Sequence, residues 1–263
     1  MYEFDYHKPA SLADAAKLLA GEEAKLVAGG MTLVPTLKLR LAKPSDLVDL
    51  AAIGGLKGIK EEAGGLTIGA MTRHAEVQRS ADVKRVIPAL AALAGMIGDP
   101  AVRNRGTIGG SVSNNDPAAD YPAALVGLGA TVVTTKREIG AEQFFTGMFE
   151  TALAQDEIVT AIKFPKPRAA AYQKFKNPAS RYAIVGVFVA KTANGVRVAV
   201  TGAGPCVFRV PEMEAALGKS FGADAIKDIT IPDGNLNSDI HASAEYRAHL
   251  VNVMARRAVA ACA

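Results

Sequence analysis

The chain has 263 residues, 49% of them hydrophobic and 21% charged, with 25 Gly, 13 Pro and no Trp. These proportions are those of a globular protein and exclude a disordered, collagen-like or coiled-coil chain. The net charge of +4 arises from 30 basic residues scattered among 26 acidic ones. It lacks the aromatic–basic interleaving and the finger or helix-turn-helix spacing of a nucleic-acid binder, so it reads as solvated surface or a face for an acidic partner.

In chain order, Tyr2 to Tyr6 alternates as a short strand. Ser11 and Asp14 form a capping box, with the carboxylate reaching back, before a helix that ends at Gly21. A buried strand, Ala24 to Ala28, runs into Gly29-Gly30. A helix is predicted over Thr32 to Leu41, a strand over Leu47 to Leu50, and a hairpin around Gly64-Gly65 from Gly58–Glu62 and Leu66–Gly69. Thr72 is predicted to open a helix, and Lys84 to Ile97 to form a longer apolar one. Gly98 to Pro117, dense in Gly, Asn, Asp and Pro, reads as irregular. Asp120 to Gly127 returns to helix, and Thr131–Thr135 and Ile158–Phe164 to strand.

Pro165-Lys-Pro-Arg168 continues neither ladder and is the predicted junction between units. Beyond it, Ala171–Phe175, Tyr182–Lys191 and Val196–Thr201 read as strands, with Asn194-Gly195 as a hairpin turn. Helices are predicted over Pro211 to Leu217 and, opened by Ser238 and Asp239, over Ser238 to Ala261. The pattern predicts an α+β protein of two or three lobes.

Two glycine-rich segments carry the chemistry. Val27-Ala-Gly-Gly-Met-Thr-Leu-Val34 continues directly from a strand, and Gly106-Thr-Ile-Gly-Gly-Ser111 lies in the irregular stretch. Consecutive glycines let backbone amides converge on an anion, and two such loops suit the two ends of a diphosphate. Neither segment matches the Rossmann or P-loop spacing. No G-x-S-x-G elbow occurs. Among His7, His74, His241 and His249, only the last two are spaced to share a helix face, and no Cys or carboxylate completes a metal set. Cys206 reads as a small buried filler, and Glu61-Glu62 as solvated hairpin residues. Two cysteines, Cys206 and Cys262, cannot form a disulfide framework or hold an iron–sulfur cluster. The start has no basic stretch leading into an apolar one, and Val86 to Ile97, interrupted by Pro88 and Gly95, falls short of the ~20 residues of a membrane span. A soluble, cytoplasmic cofactor holder without a signal peptide or transmembrane segment is expected.

AGGMTLVPTLKLRLAKPSDLVDL (Ala28 to Leu50) and RNRGTIGGSVSNNDPAADYPAAL (Arg103 to Leu125) resemble the two flavin-binding segments of the FAD-carrying medium subunits of molybdenum hydroxylases, the family of aerobic carbon monoxide dehydrogenase and xanthine dehydrogenase. KNPASRYAIVGVFVA (Lys176 to Ala190) and SDIHASAEYRAHLVNVMARRAV (Ser238 to Val259) resemble that subunit's C-terminal part, so the likeness runs in order over nearly the whole chain. The resemblance implies a two-lobed FAD-binding domain of the vanillyl-alcohol-oxidase (PCMH) type, lobes 1–55 and 56–166. A small C-terminal α+β domain, 167–263, with a three-stranded sheet plus helices, then covers the flavin.

It further implies that the backbone amides of Val27, Ala28, Gly29, Gly30, Met31, Thr32, Leu33 and Val34 wrap the pyrophosphate, as do Thr107, Ile108, Gly109, Gly110 and Ser111 from the second lobe. Asp120 is then expected to hold the ribityl chain or a nearby amide, with Lys176 near the isoalloxazine and Tyr182 beside the ring. Ser111 stands where the family often has Asn, which leaves the backbone role untouched but not the side-chain one. No His lies in the first loop and no Cys in either, so FAD is expected to be non-covalent. Molybdopterin and [2Fe-2S] clusters are implied on a large and a small partner subunit, in a dimer of heterotrimers, with NAD, a quinone or oxygen as acceptor. The alternative function is a stand-alone flavin oxidoreductase of the same fold, which would need a general base that the C-terminal segment does not display.

Overall fold

The computed structural model describes residues 1–21 and 23–262. The first lobe is a three-stranded parallel sheet. Asp46–Asp49 lies in the middle, flanked by Asp5–His7 and Lys25–Val27, in a register that sets Tyr6 against Leu47 and Leu26 against Val48. Leu47 and Val48 are buried, as the central place demands. The helix Leu12–Leu19 lays Ala15 and Leu19 into the same small core. Its cap differs in detail from the expected box: the Asp14 amide donates to Ser11 Oγ at 3.1 Å, but the Ser11 hydroxyl donates back to the Asp14 carboxylate at 2.7 Å. The carboxylate is thereby occupied by the hydroxyl.

The next helix is shorter than its predicted Thr32–Leu41 span and covers Leu33–Lys38. Arg40 takes a left-handed φ of 58°, the Arg40 amide donates to Leu37 O and the Leu41 amide to Thr36 O, which is the Schellman closure with Arg in the place usual for Gly.

The second lobe is built on a five-stranded antiparallel sheet in the order Ile59–Glu62, Gly65–Gly69, Val159–Pro165, Thr131–Thr134, Glu138–Gly140. Helices cover it. The predicted long helix Lys84–Ile97 is two, Ala81–Val86 and Pro88–Gly95, because Pro88 has no amide to continue the ladder and instead opens the second helix. The helix assigned to Thr72 starts at His74, since the Thr72 hydroxyl is buried in a bond with Gly58 O. The stretch Gly98–Pro117, expected to be irregular, contains the helices Pro100–Arg103 and Ile108–Asn114. Asp99 and Thr107 cap them through their side chains, which outweighs the poor helix propensity of Gly-Gly. Glu61 is not merely solvated but accepts from Arg85 at 2.6 Å.

The last strand of that sheet ends at Pro165, and a separate antiparallel sheet starts at Ala169. Ala169–Lys176, Ala183–Thr192 and Gly195–Thr201 are its three long strands, joined at one edge by the two-residue strand Phe208–Arg209. Both faces of this sheet are covered. Tyr172, Phe188, Ala190 and Ala199 pack into the core of the second lobe, while Val185, Val187, Val189, Val198 and Val200 pack under the helices Pro211–Lys219 and Ala244–Ala261. Burial on both sides is why Ala183–Thr192 reads as an unbroken apolar run.

The terminal helix begins at Ala244, later than the predicted Ser238. Asp239 accepts the amides of His241 and Ala242 in a turn, and Ser243 is the cap, with the Tyr246 amide on its hydroxyl at 3.2 Å. His241 is therefore outside the helix and shares no helical face with His249. Among the described residues no helix is long and apolar enough to cross a membrane.

Candidate functional site

A cleft of about 720 Å³ runs between the two glycine segments and is closed on one side by the turn that contains Tyr182. That volume lies within the range of small-molecule and cofactor sites. Ala28, Gly29, Gly30, Met31, Thr32 and Leu33 line it from the first lobe, and Thr107, Gly109, Gly110, Ser111 and Asp120 from the second. Val27, Val34, Ile108 and Lys176 do not line it. Val27 is the last residue of its strand, and Ile108 is fully buried beneath the second segment.

The first segment owes its glycines to contact and to backbone conformation. A Cβ on Gly29 would stand 2.2 Å from the carbonyl oxygen of Arg105, so the two segments meet backbone to backbone there. Gly30 adopts φ +71°, a conformation that other residues reach only with strain. Past the strand, the amides of Ala28 through Leu33 have no hydrogen-bond acceptor among the described residues, and the first to find one is Val34, on Gly30 O at 3.1 Å. A run of unspent amides on a turn is an anion-binding concavity.

The second segment is arranged differently. The Ile108 amide donates to Thr72 O at 3.0 Å and the Gly109 amide to Ala70 O at 2.8 Å. The Gly110 amide donates to Thr107 Oγ1 at 3.1 Å and the Ser111 amide to Thr107 O at 3.0 Å. Gly109 is glycine because its Cβ would lie 2.5 Å from that of Ala70. The expectation that this segment also offers its backbone amides is corrected for these four residues: the helix that starts at Ile108 and the adjoining Ala70–Thr72 backbone have already used them. What it turns toward the cleft is the hydroxyl residues Thr107, Ser111 and Ser113, with Asn114 beyond.

Asp120 is buried in the cleft wall. It occupies the cap position before the helix Tyr121–Leu128 but makes no capping bond, so helix capping is not its role. Its carboxylate accepts the Tyr172 hydroxyl at 2.6 Å and Lys174 Nζ at 3.0 Å, with the ammonium 2.9 Å from its other oxygen in an ion pair. Burial pushes this carboxyl up, against the pull of Lys174 and Tyr172. Tyr182, 45% exposed, faces the cleft from the C-terminal sheet. Burial, and then Asp116 and Asp120, push its hydroxyl above the usual range. Lys176 is exposed at the end of its strand, outside the cleft, while Lys174 two residues earlier carries the buried ammonium.

Sequence reasoning passes over Lys174, which reads as part of a lysine-rich surface, and His74. The His74 ring is buried in the cleft floor, 5.4 Å from that of Tyr121, and a Cβ on Gly106 would meet its Nε2 at 2.6 Å. Its Nδ1 has no partner among the described residues, and burial, with Arg103 nearby, lowers its pKa to about 4. The period of the helix His74–Arg79 places this residue inward, and that is the one signal the sequence carries for it.

The description "FAD binding domain in molybdopterin dehydrogenase" matches residues 2–167, and "CO dehydrogenase flavoprotein C-terminal domain" matches residues 170–262. This chain belongs to the FAD-binding medium subunits of the molybdenum hydroxylase family. It is 37% identical to the nicotine 6-hydroxylase medium subunit of Paenarthrobacter nicotinovorans, over 97% of this chain and 95% of the relative. It is equally similar, at 37% over 97% and 95%, to the carbon monoxide dehydrogenase medium chain of Afipia carboxidovorans. Its structure superposes on reconstituted CO dehydrogenase from Oligotropha carboxidovorans with a TM-score of 0.91 and 35% identity, covering 99% of this chain and 98% of that one. As a family member it is a flavoprotein component of an oxidoreductase, with FAD as cofactor. The cleft fits that group: free amides suit the anionic diphosphate, and the close contact at Gly29 leaves no room for a side chain between the segments.

Proposed function

We propose that this chain is the electron-transfer subunit of a molybdopterin-containing hydroxylase or dehydrogenase, taking electrons from a [2Fe-2S] subunit and passing them through FAD to an external acceptor. The observation that carries the reading is the row of unpartnered amides from Ala28 to Leu33 facing a cleft whose other side holds the half-exposed Tyr182. Bound FAD supplies the chemistry, since it exchanges electrons singly with clusters and in pairs with a soluble acceptor.

The chain's own residues bind and orient it. Ala28 to Leu33 hold the diphosphate by their amides. Thr107 and Ser111 add hydroxyl contacts. Asp120 would accept from the polyol chain, and Tyr182 would face the ring system. Tyr182 is exposed on one side, which leaves the redox end within reach of a partner or acceptor. Cys206 and Cys262 belong to different parts of the core, which supports clusters held by a partner chain. The relatives' designation as medium subunit or medium chain supports a larger and a smaller partner. The proposed partners are a molybdopterin subunit and a [2Fe-2S] subunit, in a dimer of heterotrimers in the cytoplasm. NAD, a quinone or oxygen would be the acceptor.

The test is the visible spectrum of the chain purified with whatever accompanies it, with subsequent acid release of the chromophore. FAD freed without proteolysis, together with two co-purifying chains and cluster absorbance, is the expected result. A chain that stays colourless after incubation with FAD overturns the proposal.

A further inference from the structure

Behind the cleft wall lies a buried polar group that cofactor binding alone does not explain. Tyr172 and Lys174 are two apart on the strand Ala169–Lys176, so both side chains leave the same face of the C-terminal sheet and reach the start of the helix Tyr121–Leu128. Asp120 Oδ1 accepts the Tyr172 hydroxyl at 2.6 Å and lies 2.9 Å from Lys174 Nζ in the ion pair, and Oδ2 accepts from Lys174 Nζ at 3.0 Å. A further donor of Lys174 is taken by Met96 O at 3.1 Å. The side chains of Lys174 and Asp120 are 3% and 5% exposed.

A carboxylate oxygen accepts two hydrogen bonds, so Oδ2 keeps an acceptor direction open while the other bonds fix the plane of the group. Burying a lone carboxylate beside an anionic ligand would be repulsive as well as poorly solvated. The ammonium of Lys174 removes the net charge and leaves the acceptor in place.

We propose that Lys174, supported by Tyr172, is the positioning residue that presents Asp120 as an ionised, oriented acceptor to a hydroxyl of the FAD polyol chain, so that retention of the cofactor depends on a buried ion pair supplied by the C-terminal sheet. This rests on the FAD reading above. The titratable and charged groups facing Asp120 are Tyr172 and Lys174 from the strand, Tyr121 next to it in the chain, and Asp116 and Tyr182 at the cleft. Of these, Lys174 is the cation.

The experiment is titration of the full-length, flavin-depleted chain with FAD, over roughly pH 5.5 to 9, for wild type, K174M, K174R and Y172F, with a thermal melt of each. Without Lys174 the buried Asp120 ionises at higher pH. FAD affinity of K174M is then expected to fall by about tenfold per pH unit below that ionisation and to recover as pH rises. K174R keeps the wild-type profile, and Y172F shifts it upward by less. If K174M loses melting temperature but keeps the wild-type affinity and profile, the role is structural only and the proposal is overturned. Should K174M not fold, Y172F decides: an upward-shifted profile supports the proposal and an unshifted one overturns it. Wild type that binds no FAD overturns the functional reading itself, and this inference with it.

Discussion

The two glycine segments look alike in sequence and do different work. Both contain a Gly-Gly pair beside a hydroxyl residue, yet the first leaves the amides of Ala28 to Leu33 free and the second spends those of Ile108 to Ser111 on Thr107 and the Ala70–Thr72 backbone. The difference lies in the path of the chain beyond each pair. After Gly30 the chain makes a turn before the helix Leu33–Lys38 starts, whereas Gly109 and Gly110 are already inside the helix Ile108–Asn114, with Gly109 pressed onto Ala70. Glycine in the first case leaves a run of backbone amides without an acceptor among the described residues. In the second it lets one piece of protein approach another.

Substitutions in the two segments test that contrast. The largest effect is expected from Gly29→Ala, whose Cβ would overlap Arg105 O and force the two segments apart. A cost of about 1–3 kcal/mol for overpacking, falling on the site itself, should abolish measurable FAD retention on gel filtration. Gly109→Ala meets Ala70 as severely and should cost a similar ~1–3 kcal/mol in a denaturant melt, but with FAD affinity kept once the protein is folded. Equal loss of affinity in both variants would mean that the two segments do the same work.

His74 lies under the second segment and titrates as part of the fold. Its pKa is depressed by burial to about 4, below the ordinary 6.5, so the unfolded chain takes up the proton first. Its contribution is therefore complete above about pH 6.5 and is lost as pH falls toward 4, a change on the order of 3 kcal/mol. Asp116 and Asp120, which burial pushes up, act in the opposite sense, so the difference between wild type and His74→Gln melts across this window isolates the histidine. A pH-independent difference would count against it. Smallest is Ser111→Ala, which removes a hydroxyl but no backbone contact: a loss of about 0.5–1.5 kcal/mol in FAD binding is expected, read by fluorescence titration.

Much of the fold is legible because its signals are local. Ser11 caps its helix, Gly64 turns its hairpin with φ +94°, and Asn194-Gly195 joins the long strands of the C-terminal sheet. The misreadings have local causes too. Pro88 divides a helix that hydrophobicity alone would continue, and the side-chain caps of Asp99 and Thr107 organise a stretch whose composition suggests a loop. The short strand Glu138–Gly140 and the hairpin Phe145–Gly147 with Glu150–Thr151 are too brief to leave a periodic trace.

For the site, residue order was enough to mark which segments line the cleft, since the glycine pairs, their order and their spacing are written in the chain and carry the family resemblance. Which amides remain free was settled only by the assembled fold, because that depends on whether a neighbouring carbonyl lies within roughly 3 Å of each N–H. The fold also buried the ammonium of Lys174 and not that of Lys176, although simple alternation would put both on one face, because the pairing with Ala183–Thr192 shifts register between Phe175 and Lys176 at the end of the strand. Hydrogen-bond supply and side-chain direction are properties of the packed backbone, and residue order encodes them only through the packing that it produces.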